Sequence, residues 1–284
     1  MRSEEDIFAL LLGFAKSEER IRLVSLEGSR TNPAIPDDEF KDYDVAFLVT
    51  DMESFLSKDD WLDFLGKRLI LQKPEDMELY PTQLGDKFSY LMLFEDGVKI
   101  DLTLVPINNR HSYLKMNDGL LKILLDKDNK IKEEIVATDQ NYWIAKPTAQ
   151  KFNDCCNEFW WVSTYVAKGL ARQEFLFAQD HLNQIVRPTL LLMMSWKIGA
   201  EKGSRFSLGK NYKFIQRYLA IEDWELLLQT FQGSSYSESW EALLLCQKLF
   251  RQCSTKVALT YGYDYPDYDE KVSPYIQNLY ADYL

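Results

Sequence analysis

Apolar residues recur at two periods along the first half of the chain. Behind Ser3, a residue suited to capping a helix, Ile7, Leu10, Leu11 and Phe14 follow the 3.6-residue repeat of one helical face. Ile21 to Leu26 is an aliphatic run that reads as a buried strand and ends at Glu27-Gly28-Ser29-Arg30. A polar loop with Pro33 and Pro36 separates it from a second strand, Tyr43 to Val49. Trp61 to Leu65 predicts a short helix closed by Gly66, and Arg68 to Leu71 another strand. Phe88 to Phe94 and Val98 to Val105 flank Glu95-Asp96-Gly97, whose Asp-Gly pair is a hairpin signal. From about Asn117 the strand signals fade.

In the second half the period is helical. Pro147 separates Tyr142-Trp143-Ile144 from a long helix beginning near Lys151, in which Phe152, Cys156, Phe159, Ser163 and Val166 share one face. Of the pair Trp160-Trp161, one ring is expected in the core and the other outside. Further helices are predicted from Gln173 to about Ala200, with a break or kink near Pro188, then from Asn211, and then from Ser237. Ser235 and Glu238 have capping-box spacing at the start of the last. The pattern predicts an α+β chain: a mixed β-sheet with flanking helices over residues 1–137 and a helical bundle over residues 138–284.

Composition narrows the class. The 284 residues are 46% hydrophobic, enough to bury a core and exclude disorder. No apolar run approaches the roughly 18 residues of a membrane span. The start, Met1 to Asp6, is acidic and lacks the basic region of a secretory signal, so a cytoplasmic location with no membrane partner is expected. Lys and Arg number 33 against 44 Asp and Glu; the net charge of -11 disfavours nucleic acid and favours cationic ligands. Cys155, Cys156, Cys246 and Cys253 lack CxxC spacing, and with only His111 and His181 there is no zinc pattern; buried reduced thiols are expected. Neither histidine lies in a Ser-His-Asp or Cys-His pattern.

The chemistry sits in the first half. Gly28-Ser29 follows a strand, and after twelve intervening residues comes Asp42-Tyr43-Asp44. In a strand, Asp42 and Asp44 point the same way. Two like charges side by side are costly unless neutralised, and a hard divalent cation such as Mg²⁺ prefers carboxylate and phosphate oxygens. Asp101 lies among Val98, Ile100, Leu102 and Leu104 but faces opposite to them, as a third acid from a neighbouring strand would. Such a set could hold one or two metals around a nucleoside triphosphate. The Gly-Ser turn could offer backbone N–H groups and a hydroxyl to phosphate oxygens.

In this order and spacing the residues resemble the nucleotidyltransferase superfamily, the fold of DNA polymerase beta and kanamycin nucleotidyltransferase. Its pattern of Gly-Ser, Asp-x-Asp and a later third carboxylate is matched by Gly28, Ser29, Asp42, Asp44 and Asp101. Longer stretches are similar to aminoglycoside 6-adenylyltransferases. These include residues Leu26 to Asn32, Gln72 to Met77, Phe94 to Gly97, Asp101 to Leu104, Asn153 to Trp160, Gly209 to Phe214 and Tyr265 to Glu270. The resemblance implies a nucleotidyltransferase domain in the first half, ATP as co-substrate and Mg²⁺ as cofactor. It further implies transfer of AMP to the 6-hydroxyl of a streptomycin-type aminoglycoside. Asp42 and Asp44 would bind metal, while Asp101 would either join them or accept the hydroxyl proton, the base role being favoured by analogy. Gly28, Ser29 and Arg30 would hold the departing phosphates. In the second half, Lys210 and Tyr212 are candidate nucleotide contacts. Asp154, Glu158 and Trp161 on one helical face, with Asp76 and Glu78 in the first half, are candidate partners for guanidinium groups. The alternatives are the same fold acting on another acceptor, or a nucleotide-binding relative without activity. A monomer is compatible with the sequence.

Overall fold

The computed structural model describes residues 1–80, 82, 84–115 and 117–283. Its contacts divide the chain into two units, Met1–Asn141 and Tyr142–Leu284. The division falls beyond the expected boundary at residue 137. Residues 138–141 are tied back into the first unit, the Thr138 N–H donating to Gly119 O (2.8 Å) and Asn141 Nδ2 to Asp118 O (2.9 Å).

The first unit opens with α1 (Glu4–Ser17), where Ser3 and Asp6 close a reciprocal capping box. Then follow β1 (Ile21–Glu27), β2 (Tyr43–Val49), α2 (Met52–Leu56), β3 (Arg68–Gln72), β4 (Phe88–Phe94), β5 (Lys99–Pro106), α3 (Arg110–Lys115) and β6 (Leu121–Asp126). The strands form one mixed sheet in the order β3-β4-β5-β2-β1-β6, with β2 and β5 parallel and the other neighbours antiparallel. One face is mostly apolar. There Tyr43, Val45, Phe47 and Val49 pack with Ile100, Leu102 and Leu104 against Ile7, Leu11 and Ala15 of α1. The opposite face carries a smaller core of Leu23, Ala46, Leu48 and Val105 with Tyr113 of α3 and Leu121 of β6. Because side chains alternate, the same rows continue beyond this core as Glu27, Asp44 and Asp101. The sheet is thus covered at one end of this face and acidic at the other.

The second unit comprises α4 (Ala149–Ala171), α5 (Phe175–His181), α6 (Arg187–Lys202), α7 (Ile221–Gln229), α8 (Tyr236–Tyr261) and α9 (Tyr268–Tyr283). Thr148 caps α4 by accepting the Lys151 N–H, so the helix starts slightly ahead of the expected Lys151. The expected stripe of Phe152, Cys156, Phe159, Ser163 and Val166 is buried, and the Phe159 ring stacks on Phe250 of α8 with centroids 3.8 Å apart. Trp160 is 1% exposed and Trp161 58%. All four cysteines are buried and unpaired. No described helix is long and apolar enough to cross a membrane.

Several expectations need correction. The strand signals do not end at Asn117, since β6 follows; it pairs along one side only and its residues are mostly half-buried, so no clean alternation marks it. The short helix expected over Trp61–Leu65 is present and closed by Gly66, as a 3₁₀ helix, Asp60–Leu65. The break expected near Pro188 is present, as a π-helical stretch, Leu182–Val186, just before that proline, whose missing N–H cannot close an α-helical bond. No α-helix begins at Asn211. Asn211 and Tyr212 have φ of 55° and 60°, the left-handed region, which an α-helix excludes, and α7 begins only at Ile221. At α8, Ser235 accepts the Glu238 N–H, but the Glu238 carboxylate accepts the N–H of Ser234, so only half the capping box forms.

Candidate active site

The parallel register of β2 and β5 sets Asp44 beside Asp101, and the antiparallel register of β1 and β2 sets Glu27 beside Asp44. Asp42 lies just before β2 and Lys99 opens β5, so the same register carried back brings those two together. The Lys99 ammonium donates to Asp42 Oδ2 at 2.6 Å and to Asp101 Oδ2 at 2.8 Å. Asp101 Oδ1 is buried and accepts no hydrogen bond among the described residues. Asp42 and Asp44 therefore meet Asp101, 57 residues beyond Asp44 in the chain, on one sheet face.

The gathering has an electrostatic cost. Burial, together with the negative charges of Asp101 and Asp42, pushes the Asp44 carboxyl up to about 6. Burial also raises Glu27, opposed by a hydrogen bond from the Tyr113 hydroxyl, which in turn shares a 2.5 Å hydrogen bond with Ser25. Burial works against the Lys99 ammonium, but its bonds to Asp101 and Asp42 outweigh this and raise its pKa.

Gly28 opens a 3₁₀ turn, Gly28–Thr31, at φ +67°, and a Cβ there would stand 2.4 Å from Asp44 Oδ2. Its N–H donates to Leu120 O at 3.0 Å, so glycine contributes space for Asp44 rather than a free donor. Ser29 follows it in the turn. Arg30 stacks on the Tyr43 ring (3.7 Å) and donates to Asp42 O (3.0 Å), Lys41 O (2.8 Å) and Glu4 (2.9 Å). It thereby fixes the backbone that carries Asp42. Beside these residues a cavity of about 550 Å³ is bordered by Arg2, Arg30, Phe40, Asp42 and Lys99.

Whether this set suits a divalent cation can be judged from its own chemistry. All the donors are hard carboxylate oxygens, Asp101 Oδ1 lacks a partner among the described residues, and a cation would offset both the burial of Asp44 and the neighbouring charges that raise it. The residues fit Mg²⁺. Among the described residues, however, no group of three or more His, Cys, Asp or Glu is arranged to hold a metal as it stands. The Lys99 ammonium takes one oxygen each of Asp42 and Asp101.

The remaining sequence candidates lie elsewhere. Asp76 is exposed and paired with Lys73 at 3.3 Å, and Glu78 is exposed. Between them and β3, Glu75 instead accepts the Ser89 N–H at 2.6 Å, and Ser89 meets Thr103, two residues from Asp101 on the same face, at 3.0 Å. In the second unit, Asp154 and Glu158 are exposed on α4, with Gln150 donating to Asp154 at 2.6 Å. Trp161 donates to the Tyr165 hydroxyl (2.9 Å) beside a cavity of about 250 Å³ that Tyr268 and Tyr275 also line. Lys210 is exposed, and Tyr212 is half-buried against the helical core. Lys99, Glu27 and Glu75 were missed in the sequence reading. For Lys99 the signal exists: it stands two residues before Asp101, on the same strand face.

Two substitutions probe this geometry. Folded Asp44 holds its proton up to about pH 6, whereas the unfolded chain releases it near 3.8, so the wild type loses stability as pH rises through that window. Metal-free Asp44→Asn is expected to be more stable than wild type by about 1–3 kcal/mol at pH 7, with the difference shrinking toward pH 4. Urea unfolding from pH 4 to 7 measures this, and equal stability throughout would show that the acids do not strain the fold. Gly28→Ala forces a left-handed φ on alanine and a clash with Asp44. It is expected to cost about 1–3 kcal/mol in the same assay; a loss below 0.5 kcal/mol would count against the close approach.

A protein-family model described as streptomycin adenylyltransferase matches residues 1–279. An aminoglycoside 6-adenylyltransferase of Bacillus subtilis (strain 168) is 56% identical over 281 residues, 99% of each chain. One from Campylobacter jejuni is 55% identical over 276 residues, 97% of this chain and 95% of the relative. Among solved structures, the crystal structure of an aminoglycoside 6-adenyltransferase from Bacillus subtilis is 50% identical, with 99% of each chain covered and a TM-score of 0.49. With a family model spanning nearly its whole length and relatives above half identity, the chain belongs to the streptomycin adenylyltransferase family.

Proposed function

We propose that this chain transfers AMP from ATP to the 6-hydroxyl of streptomycin in a Mg²⁺-dependent reaction that releases pyrophosphate. The observation that carries the reading is the meeting of Asp42, Asp44 and Asp101 on one sheet face, with an unpartnered buried oxygen on Asp101. The relatives' names supply the acceptor class and position. The net charge of -11 suits a polycationic acceptor.

The acceptor oxygen bonds to the α-phosphorus as the bond from that phosphorus to the bridging oxygen of the β-phosphate breaks. Pyrophosphate leaves, and the hydroxyl proton passes to the Asp101 carboxylate. In such transfers a protein mainly positions groups and neutralises charge. Asp42 and Asp44, with Asp101, would hold Mg²⁺, which neutralises phosphate charge when bound. Ser29, in the turn after β1, is the residue offered to the departing phosphates. Arg30 keeps Asp42 in place through the backbone carbonyl of Asp42.

Incubating the protein with labelled ATP, Mg²⁺ and a panel of aminoglycosides is expected to yield a streptomycin-AMP adduct at the 6-hydroxyl, identified by mass and position. An adduct confined to another compound or hydroxyl would overturn the assignment. Asp42→Asn is expected to lower turnover by about a thousandfold or more with the fold intact by circular dichroism; unchanged turnover would refute its place in the site. Asp101→Asn is expected to lower kcat by about 10²–10⁴ with the KM for ATP nearly unchanged. A variant altered only in KM would speak against proton transfer to Asp101.

A further inference from the structure

The Lys99 ammonium lies within 2.8 Å of oxygens on two of the three proposed metal ligands. Its stem starts at the first residue of β5, two positions before Asp101 and on the same face, so it reaches both acids along one row of the sheet. Mg²⁺ binds carboxylate oxygens at about 2.0–2.1 Å. An ion bound to Asp42 and Asp101, even one that takes the free Asp101 Oδ1, would share both carboxylates with the Lys99 ammonium, and two cations at such close range repel strongly. The lysine also has somewhere to go. Its side chain is 39% exposed and borders the cavity of about 550 Å³, whose wall includes Glu4, Asp38 and Glu39. A four-carbon stem carries the charge easily from one set of acids to another.

We propose that Lys99 is a built-in counter-ion that occupies the cation position between Asp42 and Asp101 until a divalent metal displaces it, so that metal binding and release of Lys99 are one event. The inference rests on the Mg²⁺-dependent reading given under Proposed function. It assigns Lys99 as a positioning residue with two effects. In the metal-free protein it keeps two like charges in place. It also lowers the affinity of the bare site for free metal, so that occupancy comes to depend on a metal arriving with a triphosphate, whose oxygens complete the cation's shell and whose charge receives the freed ammonium.

The test is Mn²⁺ binding without nucleotide, followed by electron paramagnetic resonance, on wild type, Lys99→Met, Lys99→Arg and the double variant Lys99→Met/Asp44→Asn. Lys99→Met is expected to bind Mn²⁺ about tenfold more tightly than wild type, a gain of about 1.4 kcal/mol. Lys99→Arg should bind as wild type does, and the double variant should lose the tight site. Equal or weaker binding by Lys99→Met, with a site that Asp44→Asn still abolishes, overturns the exchange and leaves the metal reading standing. If no form binds Mn²⁺ even with ATP, both fall. A second measurement needs no substitution. Amine acetylation of the wild type, read by peptide mass spectrometry, should rise severalfold at Lys99 on adding saturating Mg²⁺. Lys197, paired with Asp223 in the second unit at 2.7 Å, should be unchanged. No rise at Lys99 under conditions where Mn²⁺ binds would also overturn the exchange.

Discussion

Like charges held together against their own repulsion are the constraint around which the first unit is organised. Glu27, Asp44 and Asp101 occupy adjacent positions on β1, β2 and β5, about one strand spacing apart, and Asp42 stands just before them. Left alone, such a row would push the strands apart or draw in protons, and the Asp44 carboxyl is raised by its burial together with the charges of Asp101 and Asp42. Each neighbouring feature answers it. Lys99 bridges two of the acids, Tyr113 holds Glu27, Arg30 ties down the backbone at Asp42, and Gly28 removes a side chain that would collide with Asp44. The apolar face beneath, with Phe47 and Leu102 fully buried, supplies the rigidity that lets the sheet carry the load.

The same face shows why the site opens where it does. At one end of the sheet α3 lays Tyr113 over Leu23, Leu48 and Val105. Toward the other end the rows on β1, β2 and β5 continue as the carboxylates Glu27, Asp44 and Asp101, with Leu121 of β6 and Leu91 of β4 beside them. A single alternation along each strand thus produces core and site together, with the change from apolar to acidic side chains marking the edge between them. A site assembled this way is unfavourable for folding and useful for chemistry, as sites on otherwise well-packed scaffolds often are.

Most of the fold could be read from residue pattern because most elements bury a face. β2, β4 and β5 carry period-two or continuous apolar runs, and α4 carries a stripe at helical spacing. The misreadings fall where that pressure is absent. β6 lacks a clean alternation because it stands at the sheet edge and is mostly half-buried. Residues 210–212 look helical by composition, but they follow Gly209, which sits at φ +75° with no room for a side chain against Lys213 and Phe214, and Asn211 and Tyr212 take left-handed conformations. At residues 74–78, Glu75 rather than its acidic neighbours is drawn in, by a backbone N–H that only the position of β4 supplies.

The identity of the three carboxylates, the glycine before them and the two-part organisation were already determined by sequence, since residue type and spacing limit what each local segment can do. Which side chains neutralise those carboxylates was not. Lys99 and Asp42 are 57 residues apart and meet only because β2 and β5 run parallel in a fixed register. Glu27 joins Asp44 through antiparallel pairing, and Asp101 Oδ1 loses its partners through burial that no local pattern encodes. Charge interactions act across space, so the electrostatic state of the site was decided by strand register, a property of the folded sheet and not of any one stretch of chain.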